Sequence, residues 1–272
     1  MSADRSPPYR LSLIPRFELR YGAAVAAVSN RCERVLALLA VRRVAIHRSV
    51  VAGTLWPEVR DERAAASLRT AIWSLPKDLP SPVVAEGTHL RLSPTLEVDY
   101  YTAWDQVNEL IDPDATTDVG RIDLGLLSSD LLSEWSEDWI LIEQEGFRQM
   151  RLHALEALSE RLSERGFGAR AVQAGMAAVA AEPLRETAHR ALIRAYVAEG
   201  NRGDALRQFH SYERLVRLEL GLEPSGEMRD LLSTLIRPDL VRLPSLASAS
   251  RIHPDARWIR RTEAARAHAD KR

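Results

Sequence analysis

Cysteine is nearly absent from this chain: Cys32 is the single one in 272 residues. One thiol excludes an internal disulfide and a multi-cysteine metal site, and its place in a periodic apolar stretch suits a small buried hydrophobe. Long apolar runs are missing too. No stretch approaches the roughly 18 residues that a membrane-crossing helix needs, and residues 1–10 carry charge and proline where a secretory signal would be greasy. A cytoplasmic location with no membrane partner is expected. The signatures of catalysis are also lacking. There is no phosphate-binding Gly-Lys-Ser/Thr loop and no Gly-x-Ser-x-Gly elbow, and the histidines (47, 89, 153, 189, 210, 253, 268) fall at no metal-ligand spacing. The chain is therefore read as no enzyme, with no cofactor and no metal.

What is present is the composition of a folded chain, 46% hydrophobic and 28% charged, long enough for one large domain or two ordinary ones. The net charge of −1 hides a partition. Residues 1–100 hold 14 Lys/Arg against 10 Asp/Glu, residues 101–240 hold 15 against 25, and residues 241–272 hold 8 against 3. A basic front joined to an acidic middle fits a nucleic-acid-facing module attached to one with another task.

The front opens with alternation. Tyr9, Leu11, Leu13, then Phe17, Leu19, Tyr21 read as strands with one buried face, with Pro15 at a bend or an edge and Gly22 permitting a turn into Val25–Val28. Asn30 with Glu33 marks a helix start, and a second short helix runs from about His47 to Leu55, closed by Trp56-Pro57. The third, "RAAASLRTAIWSLPK" from Arg63, sets Ala65, Leu68, Ile72 and Leu75 on one face by helical spacing. Its opposite stripe is Arg63, Ala66, Ser67, Thr70, Trp73, Ser74 and Lys77, with Arg69 on the flank. Small and hydroxyl side chains there let a backbone approach another surface closely. Beyond Pro80, Val83-Val84, the Glu86-Gly87 turn and Leu90-Arg91-Leu92 predict a hairpin. Sheet, three helices and a terminal hairpin is the order of a winged helix-turn-helix, whose third helix enters the DNA major groove.

From about Asp99 the pattern is helical to residue 237, with a loop between Ile111 and Gly125 and with Trp135 and Trp139 four apart on one helix face. The segments "SERGFGARAVQAG" and "VAEGNRGDALRQF" are similar, and Gly166 and Gly200, like Ala171 and Ala205, lie 34 residues apart. That is the tetratricopeptide period, in which helix pairs stack because neither buries its apolar face alone. The expected fold is mainly α with a small β component. Residues 1–9 would be a disordered N-terminus, 10–98 a winged helix-turn-helix domain, 99–240 a tetratricopeptide-like helical domain and 241–272 a basic, mostly disordered tail.

The strings "LALLAVRRVAIHRSVVAGTLWPEVRDERAAASLRTAIWSL", "GTHLRLSPTLEVD" and "PLRETAHRALIRAYVAEGNRGDALRQFHSYERLVRLELGLEPSGEMRDL" resemble the Streptomyces antibiotic regulatory protein family, in which an OmpR-type winged helix precedes a bacterial transcriptional activation domain. The resemblance implies a pathway-specific transcriptional activator of secondary metabolism. Such a protein binds promoter direct repeats in double-stranded DNA as a homodimer and recruits RNA polymerase holoenzyme at the nucleoid. It also implies DNA contacts from Ser67, Arg69, Thr70, Trp73 and Ser74 on the recognition helix and from Thr88, His89 and Arg91 on the wing, to which the outward stripe of the helix adds Arg63 and Lys77. Ser74 and Pro76 replace arginines common after the helix core of that family, and Glu86 sits in the wing turn. These departures carry the alternative reading, a protein-interaction adaptor whose winged helix binds DNA weakly or not at all.

Overall fold

The computed structural model describes residues 9–76 and 81–236. The expectations for residues 1–8, for Lys77 and for the tail from residue 237 lie outside it. β1 (Tyr9–Ser12) and β2 (Glu18–Tyr21) pair antiparallel with Leu11 opposite Leu19, and both leucines are buried. β1 begins at Tyr9, one residue before the expected domain edge. Pro15 lies in the bend between the two strands, where its missing N–H costs no ladder bond. Gly22, at φ +56°, turns the chain into β3 (Ala24–Val25). β7 (Leu96–Val98) joins β1 in parallel, giving the order β3-β2-β1-β7.

α1 (Asn30–Arg42) is capped by Ser29, one residue before the expected start at Asn30. The Ser29 side chain accepts from Cys32 N, and the buried face holds Val35, Leu36, Leu38 and Leu39. α2 (Arg48–Leu55) and α3 (Asp61–Trp73) follow, and Pro76 prevents α3 from continuing. The α3 core face is rotated by one residue from the expected one. Ala64, Leu68, Ala71 and Leu75 are buried, whereas Ala65 and Ile72 are half-buried. The alanines allow α3 to approach its neighbours closely, and the larger Ile72 sits at the edge of the contact.

The hairpin forms as expected, β5 (Val83–Glu86) with β6 (His89–Leu92) across Gly87 at φ +61°. A two-residue strand, β4 (Ile46–His47), adds to it in the order β4-β6-β5. That strand is not visible in the sequence pattern, because two residues show no alternation.

No linker separates the second half: α4 (Asp99–Ile111) follows β7 directly. After a loop come α5 (Leu124–Ser128), α6 (Asp138–Glu164), α7 (Gly168–Ala181), α8 (Glu186–Ala198), α9 (Arg202–Leu220) and α10 (Gly226–Ile236). Gly166 (φ +79°) lies between α6 and α7, and Gly200 (φ +86°) between α8 and α9, so the 34-residue spacing marks equivalent elbows. Trp135 stands before α6 rather than on it, yet its ring still meets Trp139 edge-on at 6.0 Å. Leu131, Leu132, Ile140 and Phe147 pack into the same core as the winged helix, and Leu132 N donates to Leu13 O at 2.8 Å. The core of the winged helix thus extends into the first part of the helical half, whose helices hold two further apolar clusters.

Candidate nucleic-acid interface

α3 is held from behind by α1 and α2, leaving Arg63, Arg69, Thr70 and Trp73 on its exposed side, with Trp73 at 76% exposure. Ser67 is half-buried at the edge of that side. Neither Arg63 nor Arg69 has an ion-pair partner among the described residues, and Arg48, which opens α2, and Arg60, the N-cap of α3, have none either. The first turn of α3 carries Asp61 and Glu62, which favour the helix dipole and disfavour a phosphate at that end.

The hydroxyls of Thr70 and of Ser74, the C-cap of α3, are engaged internally. Thr70 Oγ1 donates to Ala66 O at 3.0 Å, one turn back. Ser74 Oγ donates to Ala71 O at 2.9 Å and lies 3.0 Å from Cys32 Sγ, which itself donates to Ala71 O at 2.8 Å. Ser74 therefore closes the helix against the one cysteine. Its side chain is turned toward α1.

At the wing, Thr88 and His89 are exposed, but Arg91 pairs with the Glu86 carboxylate across the hairpin. That pair neutralises the one arginine the hairpin supplies. β4 brings a group that sequence reasoning passed over: His47 faces His89 edge-on at 5.2 Å, and Arg48 N donates to Thr88 O at 2.9 Å. The start of α2 is thereby fixed beside the wing tip. No periodic signal points to His47.

Other arginines of this half are committed to the helical half. Arg34 contacts Glu137 at 2.8 Å, Arg42 contacts Glu143 at 3.2 Å and Arg43 contacts Asp105 at 3.7 Å. Arg34 also donates to Leu55 O at 2.7 Å, and its guanidinium lies 5.9 Å from the Trp56 ring centre. The turn between α2 and α3 is thus tied through one side chain to the acidic segment before α6. Its Nε approaches Glu137 without hydrogen-bond alignment, so the contact is one of charge.

A three-helix unit flanked by two small sheets and a wing, continued by paired helices at a tetratricopeptide period, defines a winged helix-turn-helix unit joined to a tetratricopeptide-like helical domain. Known proteins agree. Residues 112–236, a little under half of the chain, match the family model described as bacterial transcriptional activator domain. Regulatory protein AfsR of Streptomyces coelicolor is 27% identical over 244 residues, 85% of this chain but 24% of its own length. The solved structure of Mycobacterium tuberculosis EmbR in complex with a low affinity phosphopeptide matches with a TM-score of 0.65 at 18% identity, over 85% of this chain and 65% of that one. At that identity the likeness is one of fold. The chain spans about a quarter of the AfsR sequence, and the resemblance to the Streptomyces antibiotic regulatory proteins holds.

Proposed function

We propose that this chain is a sequence-specific DNA-binding transcriptional activator. α3 enters the major groove, the β5–β6 hairpin meets the flanking backbone, and the helical half makes the dimer and RNA polymerase contacts at promoter direct repeats. The observation that carries the reading is the open side of α3: arginines without an ion-pair partner among the described residues flank small and aromatic side chains, facing away from the core. Phosphates supply most of the affinity in such a complex and base edges the specificity. The start of α2, where Arg48 stands, is assigned to phosphate, and Arg63 to the edge of the groove beside the acidic first turn of α3. Arg69 is assigned to a base edge, where arginine grips guanine. Thr88 and His89 meet the backbone beside the wing. Ser67 and Ser74 support α3 from its edge.

No helix among the described residues is long and apolar enough to cross a membrane, and a site of action at the nucleoid in the cytoplasm follows from the proposed role. No catalytic activity is part of the proposal. A gel-shift series over salt, with the full chain and the DNA upstream of its own gene neighbourhood, tests it. A specific shift whose affinity falls with salt by a log–log slope of about −0.9 per phosphate contact is expected. The Glu86–Arg91 pair favours a second reading, an adaptor with little DNA affinity, and the absence of a shift at low salt would establish that one.

A further inference from the structure

Ala66, Thr70 and Trp73 follow one another at helical spacing on the outward side of α3. The hydrogen of the Thr70 hydroxyl is committed to Ala66 O at 3.0 Å, so what this exposed residue retains for a partner is its γ-methyl and an oxygen that can only accept. One turn earlier stands a bare methyl, and one turn later an aromatic ring 76% exposed. The row presents methyls and a ring with one accepting oxygen at Thr70, and the guanidiniums of Arg63 and Arg69 lie at its flanks.

The thymine C5-methyl is the apolar mark that the major groove displays, and alanine, the threonine methyl and aromatic rings are its usual contacts. We infer that Thr70 is a specificity-determining residue that reads a thymine through its γ-methyl, packed against that base's C5-methyl, with its hydroxyl serving only the helix. This inference rests on the proposed entry of α3 into the major groove. It assigns the base class at the centre of the half-site: a thymine under the Ala66–Thr70 row, beside the base held by Arg69.

The experiment begins with selection of duplexes from a randomised pool by the full chain. Each thymine of the enriched half-site is then replaced by deoxyuridine, which removes the C5-methyl and nothing else. Binding is measured for the unaltered chain, Thr70→Val, which keeps a methyl in place, and Thr70→Ser, which keeps the hydroxyl. At one thymine position the unaltered chain and Thr70→Val should each bind the uracil duplex about fourfold more weakly, the size of one lost methyl contact. Thr70→Ser should bind the thymine duplex about fourfold more weakly and be indifferent to the uracil exchange, for the same lost contact. The reverse ranking, with Thr70→Val impaired and Thr70→Ser normal, would mean that the hydroxyl accepts from adenine N6 or cytosine N4, and would overturn the inference. A chain that enriches a site but is insensitive to uracil at every position overturns the methyl reading alone. One that enriches no duplex overturns the DNA-binding proposal as well.

Discussion

α3 and α7 are both rich in small residues, and the two helices use them in opposite ways. On α7, Ala171, Ala174 and Ala178 are fully buried, and a Cβ on Gly175 would stand 2.9 Å from Leu192 Cα on α8. The small side chains there let two backbones meet inside the protein. On α3, Ala65, Ala66 and Ser67 are only half-buried, and exposed Arg69, Thr70 and Trp73 continue the row. The same contrast runs through the arginines. Around α7 and α8, Arg148, Arg185, Arg190 and Arg194 each pair with a glutamate, whereas Arg63 and Arg69 have no such partner among the described residues. The α7 surface is closed, its charges matched within the protein, whereas the arginines of α3 are left open to a partner such as the proposed DNA.

The largest effect should come from forcing a side chain into each row. Gly175→Val drives a branched side chain against α8 backbone and should destabilise the protein by about 3 kcal/mol or more. Ala66→Val in the open row should change stability by less than about 0.5 kcal/mol. Urea denaturation of both variants measures this, and equal losses would break the comparison. Next in size are the arginines. Arg69→Ala should weaken specific DNA binding about 10- to 100-fold, as expected for one lost base contact, with little change in stability. Arg185→Ala removes a half-buried partner of Glu156, 2.6 Å away, and should cost about 1–3 kcal/mol of stability while leaving the DNA affinity of the folded protein unchanged. If the two variants exchange phenotypes, the assignment of an open and a closed surface is wrong.

Much of this was readable in the residues. The alternation of Tyr9, Leu11 and Leu19, the Glu86-Gly87 turn and the separation of Gly166 and Gly200 each express a backbone requirement that a particular residue type meets, so strands, wing and elbows appear where expected. What escaped depends on partners distant in sequence. β4 exists because Ile46 and His47 pair with Leu90 and His89. The face of α3 turned by one residue because alanine, which is ambiguous in a hydrophobic pattern, packs closest to α1 and α2. Within the site, the residue types were legible but not their commitments. Ser74 is engaged by Cys32, 42 positions away, and Arg91 by Glu86, and no spacing rule separates such spent groups from open ones.

A smaller effect tests whether the two regions act together. Arg34 and Glu137 join them at side-chain exposures of 19% and 35%. Replacing each with alanine, singly and together, should reveal a coupling of about 0.5–1 kcal/mol, typical of a partly screened pair. Because the core of the winged helix reaches Ile140 and Phe147 of the helical half, with Trp104 packed against both this cluster and the next, unfolding should remain a single transition in every variant. Two separate transitions would mean that the winged helix and the helical half are independent units.

The smallest effect is one of pH, and it belongs to the closed region alone. His189 is 3% exposed. Its Nε2 donates to Pro183 O at 2.8 Å, and its Nδ1 accepts from Gln208 Nε2 at 2.8 Å. Both ring nitrogens are satisfied in the neutral form, and a second proton would displace the Gln208 bond. Burial holds the ring below its ordinary value of 6.5, with the Pro183 bond and the Glu186 charge acting in the opposite direction. The folded state therefore prefers the neutral ring, while the unfolded chain takes up a proton near the ordinary value. The contribution to stability is complete above pH 6.5 and is lost as pH falls below it toward the folded value. Urea midpoints should fall between pH 7.5 and 5.5 by more in the unaltered chain than in His189→Gln, which cannot titrate. A variant with the same pH dependence would assign that loss to other groups. α3 has no histidine, so its open face adds nothing to the same window.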